Sequence, residues 1–267
     1  MRTPNLKQTP VAMTVAGSDS GGMAGMQADL LTFAANGVYG VTAMTCVTAQ
    51  NPEGIAKLEV LDADFVSEQA KALNRYFAIQ AAKTGLLCNR EIIDQVADFF
   101  ISNPSIQLVV DPVMVSSSGA RIISEEAIDA LKSKLLPLAK IITPNLDEAE
   151  ILIDSPLKDP DALERAAKEM ASKWNATVYL KGGHLGGERL YDISCSPEGE
   201  SRSYSQKSIQ SIDTHGSGCT LSSCITAHLA KGEGSLASIE HARDYLRKGM
   251  ERPVFHRNAP FINHFPS

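Results

Sequence analysis

Short apolar runs alternate with amphipathic helical stretches along nearly all of this 267-residue chain. Strands are predicted at 11–17, 41–50, 81–87, 107–114, 139–145 and 177–183. Helices are predicted at 24–37, 62–77, 89–102, after Ser124, after Asp159, and at 218–230 and 235–251. Runs such as "VAMTVAG" and "QLVV" are apolar almost continuously rather than at every second residue. Strands of that kind need cover on both faces, as in a mostly parallel sheet between two layers of helices. The helices carry their own start signals. Ser124 precedes Glu125 and Glu126, with Lys132 and Lys134 toward the far end, and Asp159 precedes a first-turn proline, Pro160. Residues 190–206 read as a hairpin turning at "SPEGE". No repeat, low-complexity stretch or linker interrupts the pattern, so one domain over residues 1–267 is expected.

In such sheets ligands bind beyond the carboxyl ends of the strands. The polar segments fall there: "GSDSGG", "AQN", "DPVM", "TPNLDE" and "KGGH". Familiar phosphate motifs are absent. A P-loop needs a Gly-Lys pair, which the chain lacks, and "GSGCTL" has no third glycine for a dinucleotide fingerprint. HExxH and GxSxG are missing too. A net charge of −6 argues against a nucleic-acid surface. No apolar run approaches the ~18 residues of a membrane span, and no targeting signal precedes the first strand. The five cysteines are irregularly spaced and read as free thiols of a cytoplasmic protein. His184 and His215 lie near the same sheet edge without a nucleophile to serve, and are read as loop residues.

The segment "DTHGSGCTLS" (213–222) stands out. Gly216 and Gly218 let backbone approach a ligand closely. The first amides of the following helix have no partner within the helix, and its dipole adds positive charge, so the turn can hold an anion such as a moving phosphoryl group. Cys219 stands at this mouth. A helix N-terminus is expected to lower its pKa below the ordinary ~8.5, which would let it accept a proton from an alcohol. Cys224 is expected in the core.

With these motifs in view, the chain resembles the hydroxymethylpyrimidine/phosphomethylpyrimidine kinases of thiamine biosynthesis, in the ribokinase superfamily. The resemblance runs through "AGSDSGGMAGMQADLLTF" (16–33), "VTAQN" (47–51), "VVDPVMVSSSG" (109–119), "LLPLAKIITPNLDEAEIL" (135–152), "VYLKGGHL" (178–185), "THGSGCTLS" (214–222) and "NHF" (263–265). It implies a ribokinase-like three-layer α/β/α sandwich. It also implies transfer of the ATP γ-phosphoryl group to 4-amino-5-hydroxymethyl-2-methylpyrimidine (HMP), then to HMP phosphate. Carried over residue by residue, Gly17, Asp29 and Gln50 should hold the pyrimidine. Lys181, Asn145 and Thr214 should contact ATP, and Glu148 and Asp111 should organise Mg²⁺, in part through water. Cys219 should be the base beside the Gly216–Gly218 anion hole. A homodimer is implied as well. Two departures bear on substrate choice: Met23 stands where relatives commonly carry glycine, and "KTGLL" places Thr84, whose hydroxyl needs a partner if buried, near the presumed pyrimidine pocket. A pyridoxal kinase of the same superfamily is the nearest alternative. A non-catalytic pyrimidine-binding protein is a more distant one. The loop 114–121 is a candidate cover.

Overall fold

The computed structural model describes residues 8–115, 121–184, 189–209, 212–257 and 259–266. Of the candidate cover loop, residues 116–120 lie outside the described residues. Eleven strands and eight α-helices follow in chain order: β1 (Val11–Asp19), α1 (Gly25–Ala35), β2 (Tyr39–Asn51), β3 (Gly54–Val60), α2 (Ala63–Tyr76), β4 (Ile79–Thr84), α3 (Arg90–Ser102), β5 (Gln107–Val110), α4 (Glu125–Ala130), β6 (Ile141–Ile142), α5 (Leu146–Ile153), α6 (Pro160–Trp174), β7 (Thr177–His184), β8 (Arg189–Cys195), β9 (Ser201–Lys207), α7 (Ser217–Ala230), α8 (Ser235–Glu251), β10 (Val254–His256) and β11 (Ala259–Phe261) among the described residues.

Nine strands form one sheet in the order β3-β2-β1-β4-β5-β6-β7-β8-β9. The six from β2 to β7 run parallel. The outer β3, β8 and β9 are antiparallel to their neighbours. Alternate residues feed two apolar layers. Ala12, Ala81, Val109, Ile141 and Tyr179 pack with α7 and α8 on one face. Met13, Ala82, Leu108, Val110, Ile142 and Val178 pack with α2, α3, α4 and α6 on the other. Both faces of the central strands are therefore buried, which is why their sequences do not alternate. From β1 the chain steps outward to β2 and then to the other side at β4, so the strand order reverses beside β1. That reversal opens a crevice at the carboxyl ends of the strands.

The start signals act as expected. The Ser124 hydroxyl accepts the Ala127 N–H, and the Asp159 carboxylate accepts that of Ala162. Past α4 the helix widens into a π turn over Leu131–Leu135. The next such bond would need an N–H on Pro137, which proline lacks. The Lys132 carbonyl instead accepts the Trp174 indole N–H at 3.0 Å.

Four elements escaped the sequence reading. β3 is exposed along its whole length, although Ala56, Leu58 and Val60 alternate with Lys57 and Glu59 as in a strand with one apolar face. α5 is a short helix started by Asn145. β10 and β11 form a three-residue pairing near the chain end. Among the described residues no helix is long and apolar enough to cross a membrane.

Candidate functional site

The site is built around the start of α7. Gly216 has φ +81°, and a Cβ there would collide with the Met23 carbonyl oxygen. Glycine is thus required both by backbone conformation and by the close approach of the first loop. That loop is folded by Asp19. Its Oδ1 accepts the Gly21 N–H at 2.8 Å, and its Oδ2 accepts those of Met23 and Ala24 at 3.2 and 2.9 Å. Along α7, the Ser217 N–H donates to the Thr214 carbonyl and that of Thr220 to the Gly216 carbonyl. Between them, the N–H groups of Gly218 and Cys219 meet no acceptor among the described residues. Two adjacent free donors at the positive end of a 14-residue helix form an anion cradle.

Charged groups from two strand ends, Asp111 just past β5 and Lys181 on β7, face this cradle. A Cβ on Gly218 would stand 3.4 Å from Lys181 Nζ and 3.7 Å from Asp111 Oδ2. Lys181 Nζ lies 3.3 Å from Asp111 Oδ1, which also accepts the Thr143 hydroxyl at 3.1 Å. Asp111 Oδ2 accepts the Ser222 hydroxyl at 3.1 Å. Burial pushes the Asp111 carboxyl up, but the Lys181 and Lys83 ammoniums outweigh it and hold the pKa below the usual carboxylate range. Burial likewise pulls Lys181 down, and Asp111 and Glu148 more than restore it. The Lys181 side chain keeps 21% exposure against 3% for Asp111. This pair therefore has one open side, toward the crevice.

Asn145 and Glu148 act first on the fold. The Asn145 side chain accepts the Glu148 N–H, and the Glu148 carboxylate accepts the Asn145 N–H, both at 2.8 Å. This is a reciprocal cap on α5. Glu148 is buried, and burial, with the Asp111 charge, raises its pKa to about 8 against the opposing pull of Lys181. Two carboxylates crowded in this way form an all-oxygen donor set that a hard dication such as Mg²⁺ would relieve and ionise.

The sequence profile described as phosphomethylpyrimidine kinase matches residues 19–260. The chain is 40% identical over 253 residues to the hydroxymethylpyrimidine/phosphomethylpyrimidine kinase of Haemophilus influenzae, covering 94% of this chain and 93% of that one. The chain belongs to the phosphomethylpyrimidine kinase family. A phosphomethylpyrimidine kinase structure from Clostridium difficile superposes with a TM-score of 0.80 at 37% identity, covering 90% of this chain and 98% of that one. The ADP complex of a Bacillus subtilis pyridoxal kinase gives 0.89 at 32% identity, covering 97% and 98%. These neighbours and the layered parallel sheet make the fold ribokinase-like.

Within that family frame, the pyrimidine candidates divide. Gln50 lies at the crevice edge, its Nε2 3.0 Å from His215 Nε2. His215 also stands 3.7 Å from Asp19 Oδ2, so this histidine, read as a bare loop residue, joins the first loop to the α7 turn. Gly17 is a close-approach position, since a Cβ there would stand 2.6 Å from Cys46 Sγ. Thr214 is exposed at the turn before α7. Asp29 departs from expectation. Its side chain has no exposure, and its carboxylate accepts Lys83 Nζ at 2.9 Å and the hydroxyls of Ser223 and Thr14 at 2.5 and 2.6 Å. A carboxylate that already accepts three bonds and has no exposed surface does not face the crevice as a pyrimidine ligand. It supports α7 from below.

Cys219 departs in sign. Burial raises its pKa to about 11, although Lys83 and the Gly25 N–H pull the other way. The helix terminus does not produce a thiolate here, because loss of hydration outweighs it. Sequence reasoning also passed over Lys83 and His264. Lys83 is fully buried in β4; burial pulls its pKa down, but Asp29, with Cys219 and Asp111 beside it, more than restores it and holds the lysine protonated. His264, in the closing "NHF", meets the Thr220 hydroxyl at 3.1 Å, one residue beyond Cys219. A lysine directly after the apolar pair Ala81 and Ala82 was the available signal for the first.

Proposed function

We propose that the chain transfers the γ-phosphoryl group of ATP to the hydroxymethyl oxygen of HMP, and then to HMP phosphate, in thiamine biosynthesis. One observation carries the reading: the free N–H groups of Gly218 and Cys219 open onto the Lys181–Asp111 pair. Phosphoryl transfer needs mainly positioning and charge stabilisation around three equatorial oxygens. The two amides and Lys181 supply donors and positive charge on adjoining sides. Asp111 fixes the lysine, and Ser222 fixes Asp111 to α7. Mg²⁺ bound with ATP would neutralise phosphate charge, with Asp111 and Glu148 as its oxygen ligands, in part through water. Asn145 and Thr214 border the ATP side, and Gln50 and Gly17 the pyrimidine side.

Cys219 is the group beside the acceptor oxygen. With a pKa of about 11 its thiol is protonated at neutral pH in the free chain. As base it would act late, when the acceptor oxygen has already lost most of its hold on the proton. A loose transition state asks no more of a base. We place the activity in a single cytoplasmic domain that pairs as a homodimer. The exposed Val47, Ile55, Leu58 and Val60 on β2 and β3 support that pairing.

The test is purified protein with Mg-ATP and HMP, with mono- and diphosphate products resolved over time, and pyridoxal as competing acceptor. Successive appearance of both products is expected. A higher kcat/KM for pyridoxal would transfer the reading to the neighbour's substrate.

A further inference from the structure

A second polar cluster lies at the opposite end of α7. His228 in the last turn, Glu233 in the connection and His241 in α8 bring one ligand atom each within 4.8 Å of one another. His228 Nδ1 stands 2.8 Å from Glu233 Oε1, and His241 Nδ1 stands 2.7 Å from Glu233 Oε2. The two imidazole rings face each other with centroids 4.5 Å apart and planes tilted by 36°. The backbone holds this arrangement. Gly232 takes φ +89°, and the Glu233 N–H returns to the His228 carbonyl at 3.1 Å, so the carboxylate is delivered back over the end of the helix.

We propose that His228, Glu233 and His241 form a binding site for a borderline transition-metal dication, Zn²⁺ first, that clasps α7 to α8. Two imidazole nitrogens and one carboxylate oxygen match the three-protein-ligand zinc set and do not match magnesium, which prefers oxygen alone. Bonds of ~2.0–2.1 Å at tetrahedral angles place ligand atoms about 3.3 Å apart. The two nitrogen–oxygen separations, 2.8 and 2.7 Å, reach that spread when the side chains part by roughly half an ångström, and all three ligand atoms already lie within 4.8 Å of one another. The necessary freedom exists, since the His241 side chain is 54% exposed and that of Glu233 30%. The same exposure leaves a fourth position for water. Lys231, the nearby opposing charge, is exposed and so screened by solvent. Ten residues of helix separate His228 from Gly218, about 15 Å, so the site is independent of phosphoryl transfer.

The test is calorimetric titration of ZnCl₂ into the full chain, with a His228→Ala/His241→Ala variant that keeps all five cysteines as the reference. One Zn²⁺ per chain is expected, weakened at least about tenfold in the variant and in Glu233→Gln. Zinc at a hundredfold excess over its Kd should raise Tm by on the order of 5 °C. The Co²⁺ complex should lack a thiolate charge-transfer band, and kinase turnover should be unchanged in the variant. Should the double variant fold poorly, the exposed His241→Ala alone supplies the comparison. Equal zinc uptake by chain and variant, or no saturable uptake by the chain, overturns the site and leaves a hydrogen-bonded cluster.

Discussion

Helix α7 rests on two lysine–aspartate pairs of similar chemistry and different access. Asp29–Lys83 has both side chains at 0% exposure. Asp111–Lys181 leaves its lysine 21% exposed. Each aspartate also accepts a serine hydroxyl from α7, Ser223 for the first and Ser222 for the second. Neighbouring serines thus tie the helix to both pairs. The sealed pair can only hold the helix and bias the field around Cys219. The open pair keeps a lysine with solvent on one side, which in the proposed reaction would turn from its aspartate to an incoming phosphate. A buried charge pair is therefore structural or ligand-binding according to whether one partner retains a path to solvent, since its residue types are the same in both cases.

The largest expected effect falls on the sealed pair. Lys83→Met strands the Asp29 charge and should remove about 3–5 kcal/mol of stability in urea unfolding. Adding Asp29→Asn should return much of it, and ATP affinity of the folded protein should stay near normal. A stable Lys83→Met protein with impaired ATP binding would break the comparison. On the open pair, Lys181→Met should lower kcat/KM for ATP by about 10²–10³-fold with pyrimidine binding retained. An unchanged ATP KM and kcat would remove Lys181 from the site.

Cys219, between the two pairs, sharpens the contrast. Cys219→Ala should reduce kcat by roughly 10²-fold and spare pyrimidine affinity; full turnover would exclude it as base. Its thiol pKa is raised from 9.0 to about 11, first by burial. Alkylation by iodoacetamide should therefore climb with pH up to about 11, and a plateau already at 9 would contradict the burial. The sign for stability follows: the folded chain keeps this proton longer than the unfolded one, so the thiol's contribution is full below 9 and declines as pH rises toward 11. The smallest effect belongs to Thr84, fully buried with a hydroxyl that finds no partner among the described residues. Thr84→Val should raise stability by about 1 kcal/mol, read from the urea midpoint. A loss of stability would mean that the hydroxyl is satisfied.

The sequence by itself determined the layered parallel sheet, because strands buried on both faces must be apolar throughout and the helices between them must be amphipathic. It marked the glycine turn at 216–218, since glycine permits backbone that other residues resist, while the close approach of Met23 to Gly216 belongs to the tertiary structure. Ordered motifs also marked Lys181 and Asp111, which pair beside the start of α7, and Gln50, which meets His215 of the turn before it. Only the tertiary structure decided which charges face that crevice. Asp29 looked like a ligand and is sealed beneath α7, because Lys83 and Ser223, 54 and 194 residues away, converge on it. The sign of the Cys219 shift was equally hidden. A helix terminus can be read from spacing, whereas desolvation depends on everything packed around the sulfur. Access and burial are properties of the assembled neighbourhood, and no local stretch of chain encodes them.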